Sequence, residues 1–455
     1  MESRLKRRFL HNISIFGTSS DAGKSTITFV IAKIIQELGY SVAPFKAQNV
    51  SNNAKVATDG SEIAIAQHFQ AEVLGVPTSF HNNPILLKSG QKNSASLIVN
   101  GKVVASKEVR EYYRDLDSLK PAVREAFEYL DARYDCVVCE GAGSPVELNL
   151  MSKDLSNIFI ATEFNTKIIL VADIEKGGVF ASIWGVYNLL PKQLQKNVIG
   201  VIVNKFRGDL TLFDEGITII EKEFKIPVLG VLPYLPFNLG FEDSQSLMHY
   251  QQTSHANAKR IAVIAYPTMS NYNDFEPLIA DPTVALEFIQ HNVNLAGFDE
   301  VILPGSKLVM NDLAWLKANG LFEQIQRLNP TILGICGGYQ MLFHKIIDIE
   351  CIEVDRPTTV YGLGFIDDNI NFKKEKIVKQ GKYSLFGKTI NGFEIHHGTS
   401  KKYPLYYQRD NIRGTFVHGL FETATFEAYK RKTINEFVET MRERLDIKKI
   451  INSVR

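Results

Sequence analysis

Gly17-Thr18-Ser19-Ser20-Asp21-Ala22-Gly23-Lys24-Ser25 follows an apolar, strand-like run from Asn12 to Phe16 and precedes a segment of helical periodicity. Strand, loop and helix in that order are the setting a phosphate-cradling loop requires. Its glycines let the backbone curl until several N–H groups face phosphate oxygens; Lys24 adds a mobile cation, and Ser25 offers a hydroxyl to Mg²⁺. In the segment that follows, Ile27, Val30, Ile31, Ile34, Ile35 and Leu38 share one face, and Gly39 is a natural stop. Five residues, rather than the usual four, separate Gly17 from Gly23, so the loop is a lengthened form of GxxxxGK[ST]. The reading is a nucleoside triphosphate site, with ATP contacts expected from Gly17, Thr18, Asp21, Gly23, Lys24, Ser25 and Thr26, and from Asn204 at a later strand end.

Outward from this loop, apolar β-rich runs alternate with helix-length segments: NISIF, SVAPF, DCVVCE, KIILVAD, VIGVIVNK and PVLGVLP. Such alternation predicts an α/β fold, a doubly wound, mostly parallel sheet with helices on both faces. A polar stretch without periodicity follows, and a second alternation starts at RIAVIAY, turning more antiparallel around NGFEIHHG and RGTFVHGLF. At 455 residues the chain exceeds one ordinary core. The expected division is a nucleotide-binding domain at 1–240, a linker at 241–259 and a second α/β domain at 260–455.

Lys and Arg number 51 against 50 Asp and Glu, a balance that argues against nucleic acid or an anionic membrane surface as partner. No apolar run approaches membrane-spanning length and the basic N-terminus lacks a leader-like apolar core, so a cytoplasmic protein is expected. Self-association is left open. Four cysteines make no disulfide framework; Cys136 and Cys139 form a CxxC, but inside a strand whose alternation sends them to opposite faces, which favours packing over metal or redox chemistry.

Ligands of an open parallel sheet gather beyond the carboxyl ends of its strands. There the sequence sets Lys46, Gln48 and Asn49, then Glu140, Asp173, and Asn204 with Lys205. Glu140, flanked by Gly141 and Gly143, is a candidate Mg²⁺ ligand opposite Ser25. Lys46, Gln48 and Asn49 are candidates for substrate or phosphate, and Lys46, Lys88, Lys176, Lys205 and Arg207 would together form a cradle for an acidic substrate.

In the second half, Gly334-Ile335-Cys336-Gly337-Gly338 places one thiol on a sharp turn after an apolar strand and before the run YQMLFHKII, read as a helix. This is the sulfur form of a nucleophile elbow: glycines relieve crowding, a helix N-terminus favours negative charge on sulfur, and the Gly337 amide faces an oxyanion. A second donor is expected at Gly305 or Ser306, with His418, at the end of GTFVHGLF, as the base.

GTSSDAGKS, APFKAQNVSNN, EIAIAQ, EGAGSPVELNL, VADIEKGGVFAS, VNKFRGD, PVLGVLPYLP, LPGSK with NDLAWL, LGICGGYQML, FEIHHG and GTFVHGLF occur in an order that resembles the cobyric acid synthases, glutamine-dependent amidotransferases of the cobalamin pathway. The resemblance implies a dethiobiotin-synthetase-like ATP-dependent ligase domain followed by a class I glutaminase domain, with Cys336 and His418 catalytic. It implies ATP and glutamine as co-substrates, Mg²⁺, and no permanently bound organic cofactor. It adds Glu62 of EIAIAQ as a Mg²⁺ ligand beside Ser25 and Glu140. The implied substrate is the corrinoid adenosylcobyrinic acid a,c-diamide, amidated on its b, d, e and g carboxylates. One departure stands out: Leu420 occupies the place, two residues after the histidine, where many class I glutaminases carry an orienting glutamate, for which Glu394 or a backbone carbonyl could substitute. Competing readings are a cobyrinic acid a,c-diamide synthase, an amidotransferase of peptidoglycan precursors, or a partition-type ATPase switch with an inactive glutaminase-like module.

Overall fold

The computed structural model describes residues 10–89, 94–108, 115–237, 239–240, 257–327 and 331–455. Most of the expected linker, 241–256, lies outside the described residues.

Six parallel strands form the first sheet, in the order Val228–Pro233, Val198–Phe206, Lys167–Asp173, Ile13–Gly17, Cys136–Glu140, Val42–Phe45. Side-chain alternation divides these strands between two cores, as a sheet covered on both faces requires. Ile13, Ile15, Cys136, Val138, Ile169 and Val171 pack against one set of helices, whereas Val137, Cys139, Ile168 and Leu170 serve the opposite face. The two thiols of the CxxC thus part as expected; burial pushes Cys136 up to about 12 and Cys139 well above the usual thiol range. Such thiols are inert packing groups.

The second sheet runs Val284–Ile289, Lys259–Ile264, Glu300–Leu303, Thr331–Ile335, Ile412–Thr415, Tyr406–Arg409. Only the last pair is antiparallel, so the RGTF strand is parallel to the strand that precedes Cys336. The antiparallel character expected near NGFEIHHG appears in a separate four-stranded sheet, where Lys388–Thr399 pairs with Ile366–Leu385.

Two expectations need correction. The helix after Cys336 spans only Gly337–Met341; FHKII is a strand, Phe343–Asp348, in which Phe343 and Ile346 enter the core and which pairs on both sides. β-branched and aromatic residues fit that pleated surface better than a continued helix. Secondly, the range 260–455 contains two helices, Ala424–Arg442 and Ile447–Val454, that return to the first unit. Phe426, Ile434, Phe437, Val438, Met441, Ile450 and Val454 share a core with Ile27, Val30 and Ile34. Asp446 N–H donates to Leu229 O at 2.8 Å, and Lys430 pairs with Glu72 at 3.0 Å.

Candidate active sites at the two strand-end clusters

The phosphate loop turns through two left-handed residues, Asp21 (φ 57°) and Gly23 (φ 97°), before the helix Lys24–Glu37. Lys24 Nζ reaches back to Ser19 O at 3.2 Å. A methyl group at Gly17 would stand 2.8 Å from Lys24 Nζ, so the glycine keeps the lysine's path open. Thr18 N–H donates to Val171 O at 2.9 Å, tying the loop to the neighbouring strand. Asn204 buttresses the loop from its strand end: its Nδ2 donates to Ala22 O at 2.9 Å, and a side chain at Gly23 would strike it.

Glu140 is the hub of this site. Its Oε1 accepts from Ser25 Oγ and from Lys46 Nζ, both at 2.7 Å, and its Oε2 from Gln70 Nε2 at 2.6 Å and Gln67 Nε2 at 3.3 Å. Asn49 Nδ2 in turn donates to Gln67 Oε1 at 2.9 Å, while the Gln48 backbone is bracketed by Ser156 Oγ. A hydroxyl and a carboxylate side by side are the donor set of a hard divalent cation, and the Lys46 ammonium already stands where positive charge is wanted. Ser25 and Glu140 therefore fit Mg²⁺. Glu62 keeps different company: Lys88 lies 2.6 Å from its Oε1 and Lys376 2.6 Å from its Oε2. Burial alone would raise this carboxyl, but Lys376 and Lys88 overcome it and hold Glu62 well below the usual range. Lys205 pairs with Asp173 at 3.0 Å, Arg207 with Glu175 at 2.6 Å, and Lys176 stands 4.0 Å from Asp21, so each cation of the expected cradle has an acidic neighbour.

The thiol site lies in the second unit. Cys336 is buried at φ 50°, ψ −104°, a strained elbow for a non-glycine residue. A side chain at Gly338 would overlap Leu303 O at 1.9 Å, and one at Gly337 would sit 2.6 Å from Ser306 N. These close approaches explain the glycine pair after the thiol. Gly305 pairs with Ser270 in a short antiparallel ladder, and a side chain there would come within 3.2 Å of His418 Cε1. The elbow, the Gly305 loop and the histidine thus converge.

His418 is clasped by a residue that the sequence reading missed. Asp274 Oδ2 lies 2.6 Å from His418 Nδ1, and its Oδ1 accepts from Gly419 N–H at 3.0 Å. Burial works to lower the imidazole's pKa, but Asp274 and then Cys336 outweigh it and bring it up to about 10. Phe393 stacks on the ring at 5.0 Å. Glu394, expected as a substitute orienting acid, instead accepts from Tyr383 OH at 3.0 Å and faces His396 Nε2 at 3.2 Å. Asp274 lies 144 residues before His418 and follows no motif; its only signal is an acid within a short turn, Tyr272–Phe275.

A cavity of about 190 Å³ joins the two units at Cys336. Asn52, Lys88 and Ser96 line it from the first unit, and Lys307, Gln340, Glu353 and Lys376 from the second. Burial, with Lys376 and Lys88 nearby, pulls Lys307 down to about 7, and burial raises Glu353 to about 7. Gln340 Oε1 is buried with no hydrogen-bond partner among the described residues.

A phosphate loop in one unit, and in the other a thiol, imidazole and carboxylate with the thiol opening on a cavity between the units, define a glutamine-dependent ligase, one unit handling nucleotide and the other releasing ammonia. Comparison with known families agrees: residues 13–238 match the CobQ/CobB/MinD/ParA nucleotide binding domain, and residues 260–426 the CobB/CobQ-like glutamine amidotransferase domain. Cobyric acid synthase of Acinetobacter baylyi is 63% identical over 98% of this chain and 99% of its own length. That of Chlorobium phaeobacteroides is 38% identical over 92% of this chain and 91% of its own. A probable cobyric acid synthase of Methanothermobacter thermautotrophicus is 37% identical over 96% and 91%. The chain belongs to the cobyric acid synthase family. No helix among the described residues is long and apolar enough to cross a membrane.

Proposed function

We propose that this enzyme converts adenosylcobyrinic acid a,c-diamide to adenosylcobyric acid, amidating the b, d, e and g carboxylates with ATP and with ammonia drawn from glutamine. The observation that carries the reading is end-to-end similarity to cobyric acid synthases in a chain whose thiol opens on a cavity shared with its nucleotide unit. In the glutaminase half, Cys336 Sγ attacks the side-chain amide carbon of glutamine while the Gly305 and Gly337 amides stabilise the oxyanion. His418, held by Asp274, gives its proton to the departing ammonia, then takes one from the water that hydrolyses the thioester. The orphan Gln340 carbonyl is suited to the glutamine ammonium group.

In the ligase half, Lys24 and the loop amides hold the triphosphate, and Lys46 steers a carboxylate toward the γ-phosphorus. Ser25 and Glu140 would hold Mg²⁺, which supplies charge neutralisation on the phosphates. Glu62 would join them only after exchanging its lysines. The substrate carboxylate oxygen displaces ADP, giving an acyl phosphate; ammonia attacks its carbon, and phosphate leaves. We assign the macrocycle to the groove beyond Gln48 and Gly143, where Val50 (61% exposed) and Leu150 (39%) offer an apolar surface. A cytoplasmic location and self-association fall within the same proposal.

Mass spectrometry of the diamide incubated with Mg-ATP and glutamine tests the reading, beside Cys336→Ala given glutamine or ammonium. Stepwise acid-to-amide conversion, lost in the variant with glutamine and restored by ammonium, is expected. An unchanged diamide alongside amidation of cobyrinic acid would assign the a,c-diamide reaction instead, and ATP hydrolysis without any amidation would favour the switch reading.

A further inference from the structure

The first unit sends one side chain into the support of the second unit's catalytic histidine. Asn53 precedes the hairpin formed by Ala54–Val56 and Glu62–Ala64. It is buried, and its Oδ1 accepts from Asn271 N–H at 2.7 Å. Asn271 answers with its own side chain, Nδ2 donating to Ala54 O at 2.8 Å. Asn271 is itself buried and left-handed, at φ 58°, ψ 47°. It initiates the turn Tyr272–Phe275, and its carbonyl accepts from Asp274 N–H at 3.1 Å. The residue before it, Ser270, pairs with Gly305.

A left-handed non-glycine residue persists only where its surroundings hold it. Here the hold crosses between units. Without the Asn53 acceptor, the buried Asn271 N–H is stranded, and the turn relaxes toward a conformation that satisfies it. Asp274, three residues on, then loses its bidentate grip on His418 and Gly419. Toward the nucleotide the same asparagine is also connected: its carbonyl accepts from Ile65 N–H at 3.2 Å, the first residue of the helix whose Gln67 and Gln70 hold Glu140.

We propose that Asn53 is a positioning residue for the glutaminase reaction, supplied by the nucleotide-binding unit and acting through the left-handed turn at Asn271 on the Asp274–His418 pair. The inference rests on the glutaminase role assigned to Cys336. It makes thiol chemistry depend on where the 54–64 hairpin sits, so a displaced hairpin leaves glutamine bound but slow to react.

Asn53→Ala and Asn53→Asp in the full chain test it, the second because a carboxylate oxygen still accepts from Asn271. Glutaminase kcat of Asn53→Ala should fall 10- to 100-fold with KM within about twofold, while ammonium-driven amidation persists. Asp274 and Cys336 are the titratable groups that act on His418, so weakening the first also shifts the alkaline limb of the kcat profile to lower pH. Asn53→Asp should restore both. Wild-type kcat and profile in Asn53→Ala, a loss confined to KM, or no rescue by Asn53→Asp would overturn the proposal. Should Asn53→Ala also lose ammonium-driven amidation, the Asn271 pair decides. Asn271→Gly, which tolerates positive φ, should keep most of kcat where Asn271→Ala does not; equal losses would overturn it. Cys336→Ala separates the two readings: retained glutaminase there defeats the proposed function, whereas its loss beside an indifferent Asn53→Ala defeats this inference alone.

Discussion

Asp274 and Glu140 are both buried carboxylates with both oxygens committed, yet they stand in opposite relation to the chemistry around them. Asp274 clasps His418 and Gly419 in the arrangement that thiol catalysis uses. Glu140 is held by Ser25, Lys46, Gln67 and Gln70, a set that must rearrange when a divalent cation and triphosphate arrive. The carboxylate of the thiol site is thus committed to the imidazole itself, whereas that of the nucleotide site is balanced by a neighbouring cation, hydroxyl and amides. Substitutions at the first should act on kcat whatever the nucleotide, and those at the second only through metal and ATP.

The sharpest way to break this contrast is Asp274→Asn. It keeps the shape but removes the negative charge beside His418, and glutaminase kcat should fall by about a thousandfold to ten-thousandfold with ammonium-driven amidation intact. The imidazolium that Asp274 favours is fully present below the ordinary 6.5 and is lost as pH rises through about 10; in the variant the loss should begin at lower pH, read from the kcat profile. Next, Glu140→Gln should weaken Mg²⁺ in the ligase assay by about 10- to 100-fold while leaving glutaminase kcat unchanged.

The two regions also differ in how far the sequence reveals them. The phosphate loop is contiguous, and Lys46 and Glu140 end strands of one parallel sheet, so local pattern and the strand-end rule suffice to bring them together. Asp274 belongs to a different element from the histidine it serves, and the sequence pointed instead to Glu394, which pairs with His396 and Tyr383. The apolar run Phe343–Asp348 has no periodicity to separate a buried strand from a helix. Nor does amphipathicity state a helix's partner, which is why the return of Ala424–Arg442 to the first core was not legible.

Where the units meet, Glu62 offers a smaller test. Lys376→Met removes one of its two buried cations and should cost about 3 kcal/mol of stability at neutral pH, read from chemical denaturation. Because Glu62 is held below its ordinary 4.5, the stability it confers is present above that value and lost as pH falls beneath it; the gap between variant and parent should close in acid. The smallest effect is expected at the groove. Val50→Asp should raise the corrinoid KM about fivefold and leave glutaminase untouched, because a carboxylate removes apolar surface from beside the macrocycle.

The cavity that opens Cys336 toward the nucleotide unit predicts that ammonia released at the thiol is used there without mixing with solvent. Amide-¹⁵N glutamine supplied with excess unlabelled ammonium, followed by isotope-resolved mass spectrometry of the amidated corrinoid, measures this directly. ¹⁵N in the product far above its share of free ammonium is the expected result. A label matching the bulk ratio would contradict it.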